Sequence, residues 1–475
     1  MATPTGTAAS SAARLPFQLK QAGGTGRLVL ADQTVLDWVH LDRLELEIPD
    51  SVEVDGDVER YQRRRTQLVV ASLRVDQRAV EARVGLAAAA LALQGVTALH
   101  VRLTDGAVSV TARVADGLAA ADVSFRVLLA PSGLAVRALA GDVRVHGHLP
   151  TAGPVLAHRI LATLLGASDE PSGAEVPRIR GLADVELQPL PALLWRLLPT
   201  RGWRLPSTSG VELVTARITR GGVVISYAPA GQRPAPRSDD AIAAAATSLV
   251  IAHDAMHSAD ELLRRGQLDD AMRGYRALLA AGGPDQPVLL ARILAVAAAR
   301  PSWFVDGVEL ARQALSRWPD YGPALATLGS IALAKGDARE AARQFGHLAE
   351  VCGDDGDDEA ATLAALTAAR LLRVLDPPAA TRLYELVLTH HPGHAEAVEA
   401  LGERYAEEGR WQELARLYRA RLASTADRSR AARDHVRLAE VLARHLGDPR
   451  GARAELDRAR DLAPDDARVH QALAE

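Results

Sequence analysis

At 475 residues and 50.4 kDa, the chain has room for two to four domains of ~100–200 residues each. Hydrophobic residues make up 48% and charged residues 24%, a globular balance rather than a disordered one, and a net charge of −4 argues against bulk nucleic-acid binding. The single cysteine, Cys352, excludes an intrachain disulfide, a zinc ribbon and an iron–sulfur site; the two lysines, Lys20 and Lys335, do not follow the glycine that a Walker A loop requires.

In chain order, the first 17 residues are rich in Ala, Ser and Thr, with one positive charge and no apolar core. They read as part of a disordered leader over 1–24, not as a secretory signal. Residues 84–101 carry no charged side chain, but their alanines and Gln94, Gly95 and His100 disfavour a membrane span of ~20 apolar residues. The chain therefore reads as soluble and cytoplasmic.

The half from 25 to 228 alternates apolar and polar residues. Leu44, Leu46 and Ile48, then the run 68–75, open the pattern. Leu99, Val101 and Leu103 lead through Asp105-Gly106 into Val108, Val110, Ala112 and Val114, the strongest short-range hairpin signal. Val123, Phe125 and Val127, a Pro131-Ser132-Gly133 turn, and Leu134, Val136 and Ala138 follow. Val211 and Leu213 then turn through Gly221-Gly222 into Val223, Ile225 and Tyr227. Arg102, Arg113, Arg126, Arg137 and Arg217 are expected on a wet face, so the sheet reads as antiparallel with one apolar side. Helices interrupt it at 77–94, where Asp76 is the expected N-cap, at 155–165 behind Pro154, and at 191–198 around Trp195.

Residues 229–248, with Pro229, Gly231, Pro234 and Pro236, read as a linker. From 249 to 475 the chain repeats. Leu325, Leu328-Gly329, Gly336, Ala341 and Phe345 recur as Leu401-Gly402, Tyr405, Gly409, Leu414 and Tyr418, with further copies carrying Gly266 and Gly447 and weaker ones over Val288–Tyr321, where Gly307 replaces the usual alanine, and Ala361–His394, where Leu375 replaces the turn glycine. This order resembles the tetratricopeptide repeat (TPR), whose period is about 34 residues. About six copies are expected, the last truncated. The chain ends within an expected helix and carries no polar capping helix, so a longer natural protein is expected. Leu328, Gly329, Ala341 and Phe345 are expected to be buried in one repeat, and Leu401, Gly402, Tyr405 and Tyr418 in another. Repeats of this kind offer a groove to a protein or peptide, with Glu403, Arg404, His435 and Arg437 as the candidate contacts.

No catalytic constellation stands out: G-x-S-x-G and H-E-x-x-H are absent, so no enzyme activity and no cofactor are expected. His146-x-His148 reads as a solvated strand end rather than half a metal site. His390, His391 and His394 read as a repeat junction. The acidic stretch 354–358 lacks the calcium-loop glutamate and reads as a solvated insertion, Arg63-Arg64-Arg65 as a solvated charge run, and Cys352 as a buried small hydrophobe.

The order of strand, apolar helix 77–93, the Val101–Val110 hairpin, further amphipathic strands, helix 155–165 and a closing hairpin 211–225 resembles the tubular lipid-binding (TULIP) superfamily, and within it the bacterial LmeA-like domain. The resemblance spans about 26–227. It implies an α+β domain in which a curved antiparallel sheet wraps a long apolar helix, followed here by the all-α TPR solenoid. It also implies a channel for a lipid or other apolar ligand, with peripheral membrane contact. Leu86, Ala88, Ala90, Leu91, Leu93, Val101, Leu103, Val110, Phe125, Val127, Leu156 and Ile160 are the candidate lining. The exported members of that family carry a signal; this sequence reads without one. The competing expectation is a filled, ligand-free domain on a pure protein–protein interaction scaffold.

Overall fold

The computed structural model describes residues 15–474, apart from 23, 36–38, 50–55, 171–172, 174–175, 232–239, 283–285 and 426. The chain divides into two compact units: Met1–Val143 with Pro150–Ala299, and Arg144–Leu149 with Arg300–Glu475.

In the first unit, strands β1 (Gln18–Ala22), β2 (Thr25–Val35), β3 (Val39–Ile48) and β4 (Gln67–Val75) lead into helix α1 (Gln77–Leu93). Strands β5 (Val96–Leu103), β6 (Val108–Asp116), β7 (Ala119–Ser132) and β8 (Ala135–His146) precede helix α2 (Gly153–Leu165). Then come β9 (Arg178–Gly181), β10 (Asp184–Leu187), helix α3 (Pro189–Leu197), β11 (Val211–Thr219) and β12 (Gly222–Pro229). Helices α4 (Asp240–Arg264), α5 (Leu268–Ala280) and α6 (Gln286–Ala298) complete the unit.

The strands form two six-stranded sheets, in the orders β1-β2-β3-β4-β12-β11 and β5-β6-β7-β8-β10-β9. In the first, Leu28 pairs with Leu46 and Leu46 with Leu68; period-two alternation puts these side chains on the face that α3 covers with Leu190, Leu193, Leu194 and Leu197. In the second, Val101 pairs with Val110 and Leu103 with Val108 across the hairpin expected at Asp105-Gly106, and Val110 pairs in turn with Phe125 of β7. Helix α4 packs Ala246 and Leu249 against Ala130 and Leu139 of that sheet.

Four expectations change here. Residues 18–22 of the expected leader are an edge strand, Gln18 pairing with Val29; the first 14 residues lie outside the described set. The expected linker is helical from Asp240 onward, because 243–246 is a run of alanines, the strongest helix formers; its residues 232–239 lie outside the described set. Helices α4–α6, expected among the repeats, cluster with the sheets. The apolar helix wrapped by a sheet is not formed: α1 buries only Ala79, Ala87 and Leu91. Its Asp76 cap does form, the carboxylate accepting from the Ala79 N–H at 2.9 Å. A helix this rich in alanine is held by propensity and can leave one side in water, since each methyl exposes little apolar area.

The second unit is helical: α7 (Phe304–Arg317), α8 (Gly322–Ala334), α9 (Ala338–Asp354), α10 (Asp358–Leu375), α11 (Pro377–His390), α12 (Ala395–Glu407), α13 (Trp411–Ser424), α14 (Arg428–Arg444), α15 (Pro449–Leu462) and α16 (Ala467–Ala474). The starts of α8, α10, α12 and α14 recur near the ~34-residue TPR period, and the pairs α8/α9, α10/α11, α12/α13 and α14/α15 are TPR-like hairpins. Gly336 and Gly409 turn two of them in the left-handed region, at φ 80° and 69°. Where α10 meets α11 Leu375 stands at the position of the turn glycine, and the side chain of the next residue, Asp376, caps α11 ahead of Pro377.

Leu328, Gly329, Ala341 and Phe345 are all buried, as are Leu401, Gly402 and Tyr405; Tyr418 is half-buried. The two glycines differ. A Cβ at Gly329 would lie 2.8 Å from the Phe345 ring, whereas one at Gly402 would sit 3.5 Å from the Tyr418 hydroxyl, an ordinary contact. Gly329→Ala should therefore destabilise the second unit by about 1–3 kcal/mol through overpacking. Gly402→Ala should stabilise it by about 0.5–1 kcal/mol through helix propensity. Paired urea melts of the two variants check this; equal signs would contradict the packing account.

Candidate functional site

The six residues Arg144–Leu149 belong to the helical unit; Arg144–His146 are the extended end of β8, and the chain bends at Gly147. Ser330 of α8 donates its hydroxyl to the Val145 carbonyl at 2.8 Å. The Arg144 guanidinium donates to the Cys352 sulfur at 3.1 Å and lies 3.9 Å from the Asp357 carboxylate. Gly322 leaves room for it: a Cβ there would stand 2.9 Å from Nε. The His146 ring faces Phe345 with centroids 6.0 Å apart, and His148 meets Phe304 edge-on at 5.8 Å. Arg144 and His146, alternate side chains at the extended end of β8, are thus buried, and His148 is half-buried.

This arrangement corrects three readings. His146 is not a solvated strand end but is buried, and among the described residues no group of three His, Cys, Asp or Glu is placed to hold a metal. Asp357 is not a solvated insertion: it is buried, caps α10 through the Ala360 N–H and lies opposite Arg144. Cys352 is buried as expected, but beside a cation from a distant part of the chain. The other histidine cluster is structural, with His390 bonded to Asp358 at 2.9 Å and His394 capping α12.

Burial, with the Arg144 charge second, lowers the His146 pKa to about 3. The unfolded chain takes up this proton below about 6.5 and the folded chain only near 3. Stability is therefore fully present above about 6.5 and falls as the pH drops toward 3, by about 1.4 kcal/mol per unit for this one group. In acid titrations of stability between pH 7 and 5, His146→Leu should flatten the slope of the helical unit; an unchanged slope would contradict the burial assigned to His146.

The expected partner contacts separate. Glu403 and Arg437 are exposed on α12 and α14. Arg404 is half-buried and ion-paired with Glu408 at 2.7 Å and Glu407 at 3.4 Å. His435 is withdrawn from the surface, its Nδ1 lying 2.6 Å from Glu455 of α15.

The expected lipid lining does not converge on one interior. Leu86 is 77% exposed and Leu93 91% exposed, and Ala88 and Ala90 are exposed beside them. Leu91, Leu103, Val110, Phe125, Val127, Leu156 and Ile160 are buried in the packed first unit, and Val101 is half-buried. Among the described residues no helix is long and apolar enough to cross a membrane.

The first unit instead contains a polar network that the alternation pattern did not reveal. Arg137, expected on a wet face, is buried and donates to Asp184 at 2.5 Å and to Asp254 of α4 at 2.8 Å. Asp260, one helical stripe along from Asp254, accepts from the Tyr275 hydroxyl at 2.5 Å and lies 3.2 Å from Arg292. Burial raises the carboxyl pKa of both Asp184 and Asp260, opposed by Arg137 and Arg292 respectively. His253 is held neutral by burial and then by Arg292 and Arg137, although the Ala140 carbonyl favours its protonated form. A half-open cavity of about 350 Å3 adjoins this network, bounded by Arg178, Arg180 and Gly181 of β9 and by His253, Asp254 and His257 of α4. The i, i+4, i+7 spacing of His253, His257 and Asp260 was the available sequence signal.

No family model and no curated protein matches the chain. Among solved structures it is similar to YrrB, described as a TPR protein with an unusual peptide-binding site, at 16% identity over 42% of this chain and 97% of that one, with a TM-score of 0.27. It is also similar to pilF of Pseudomonas aeruginosa, at 16% identity over 48% and 99% with a TM-score of 0.27. A tetratricopeptide repeat protein from Parabacteroides merdae matches at 14% identity over 47% and 97%, again with a TM-score of 0.27.

Proposed function

We propose that the chain is a non-enzymatic protein-interaction scaffold whose helical unit binds an extended peptide segment of a protein partner. The observation that carries this reading is the grip on Arg144–Leu149: helices α8 to α10 hold a segment that begins as extended backbone, Arg144–His146, through a serine hydroxyl on a carbonyl, a buried arginine and a buried histidine. The same register of hairpins continues in α12 and α14, which present Glu403, Arg404 and Arg437. Such surfaces read a peptide through pockets for alternate side chains and through charge complementarity.

Lipid binding has no specific observation in its favour, because the helix meant to be wrapped exposes Leu86 and Leu93. The scaffold reading is tested by selecting peptides from a random library on the full chain and measuring their affinity by fluorescence anisotropy. Arg404→Gln with Arg437→Glu should weaken the selected peptides at least tenfold while the melting temperature holds. Affinities indifferent to both substitutions would remove α12 and α14 from the binding face.

A further inference from the structure

The cavity between β9 and α4 has a lopsided chemistry. Its carboxylates are engaged: Asp184 and Asp254 with Arg137, and Asp260 with Arg292 and Tyr275. Its basic groups at the mouth are engaged far less. Arg178 and Arg180 stand two residues apart on a strand and so leave it on one face. The Arg178 side chain has no hydrogen-bond or ion-pair partner among the described residues, and Arg180 reaches Glu186 only at 3.5 Å. His257, one turn beyond His253 on α4, likewise has no such partner among the described residues and is exposed toward the same space.

A guanidinium is a rigid fork of donors that matches an oxyanion in two-point contact. The volume of about 350 Å3 falls at the small end of the ~300–1,000 Å3 found for small-molecule sites. We propose that this cavity binds a small polar molecule carrying a phosphate or carboxylate group, held by Arg178, Arg180 and His257. The acidic layer behind fixes the polarity of the ligand. Its anionic end stays at the mouth, away from Asp184 and Asp260. The rest of the molecule turns hydroxyl or amine donors toward Asp254, whose side chain is 60% exposed although it is paired with Arg137. The site is built entirely within the first unit and does not rest on the peptide reading.

The test is calorimetric titration of the full chain with three probes: inorganic phosphate, citrate and glucose 6-phosphate. Glucose 6-phosphate, which joins an oxyanion to hydroxyl donors, should bind more tightly than inorganic phosphate, and Asp254→Asn should erase that preference. Citrate binding more tightly than either phosphate would assign a carboxylate as the anchoring group. Arg178→Gln with Arg180→Gln should weaken binding at least tenfold, whereas Arg78→Gln on exposed α1 should leave it unchanged. Both arginines of the pair are exposed, and an unaltered melting temperature confirms that the double variant is folded. No binding of any probe at millimolar concentration, or equal affinity in the double variant, would overturn the proposal.

Discussion

Phe345→Ala should cost the helical unit about 3–5 kcal/mol, the range for truncating a buried aromatic. Phe345 is fully buried, fills the space that Gly329 leaves open, and meets the ring of His146 on another side. The cavity left by its removal has rigid walls, because α8 is buried around nearly its whole circumference and cannot collapse inward. Hairpins in a solenoid lean mainly on their neighbours, so the loss should be local. Hydrogen exchange should show amide protection in α8–α10 falling by about two to four orders of magnitude, with the strands of the first unit unaffected. A uniform loss across the whole chain would contradict the division into two units.

Arg137→Ala should be comparably costly in the first unit. Removing the guanidinium leaves Asp184, only 2% exposed, as an uncompensated buried charge, a situation that costs about 3–5 kcal/mol. The sign of its pH dependence follows from the carboxyl. Burial already raises the Asp184 pKa against the pull of Arg137, and without Arg137 it rises further. The difference in stability between variant and wild type should therefore shrink as the pH falls and Asp184 becomes neutral. The pair Arg137→Met with Asp184→Leu should recover most of the loss, since a buried ion pair replaced by apolar groups of similar volume is close to neutral. Urea melts at pH 7 and pH 5 distinguish the three chains; a single variant insensitive to pH would contradict the buried pair.

The hairpins of the second unit were legible because their determinants are local. Leu328-Gly329, Ala341 and Phe345 lie within one helix pair, and the Gly329–Phe345 contact follows from that spacing. The β5–β6 register followed for the same reason, from period-two alternation on both sides of the Asp105-Gly106 turn. What stayed hidden depends on distant partners. Arg144 meets Cys352 across 208 positions, and Arg137 meets Asp254 across 117. An arginine on an alternating strand looks the same whether it faces water or a carboxylate from a helix a hundred residues away. Helix α1 misled for another reason. Its alanines and leucines give an apolar composition with no polar face, which suggests enclosure, yet an alanine-rich helix is stable enough by propensity to leave Leu86 and Leu93 in solvent. The expected linker failed because proline and glycine marked only its first half, while its second half is the start of α4.

The most direct test of the scaffold account is hydrogen–deuterium exchange of the full chain with and without a peptide selected on it. The account predicts added protection concentrated in α12 and α14, around Arg404 and Arg437, with the strands of the first unit unchanged. Protection confined to the first unit, with α12 and α14 exchanging as before, would contradict it.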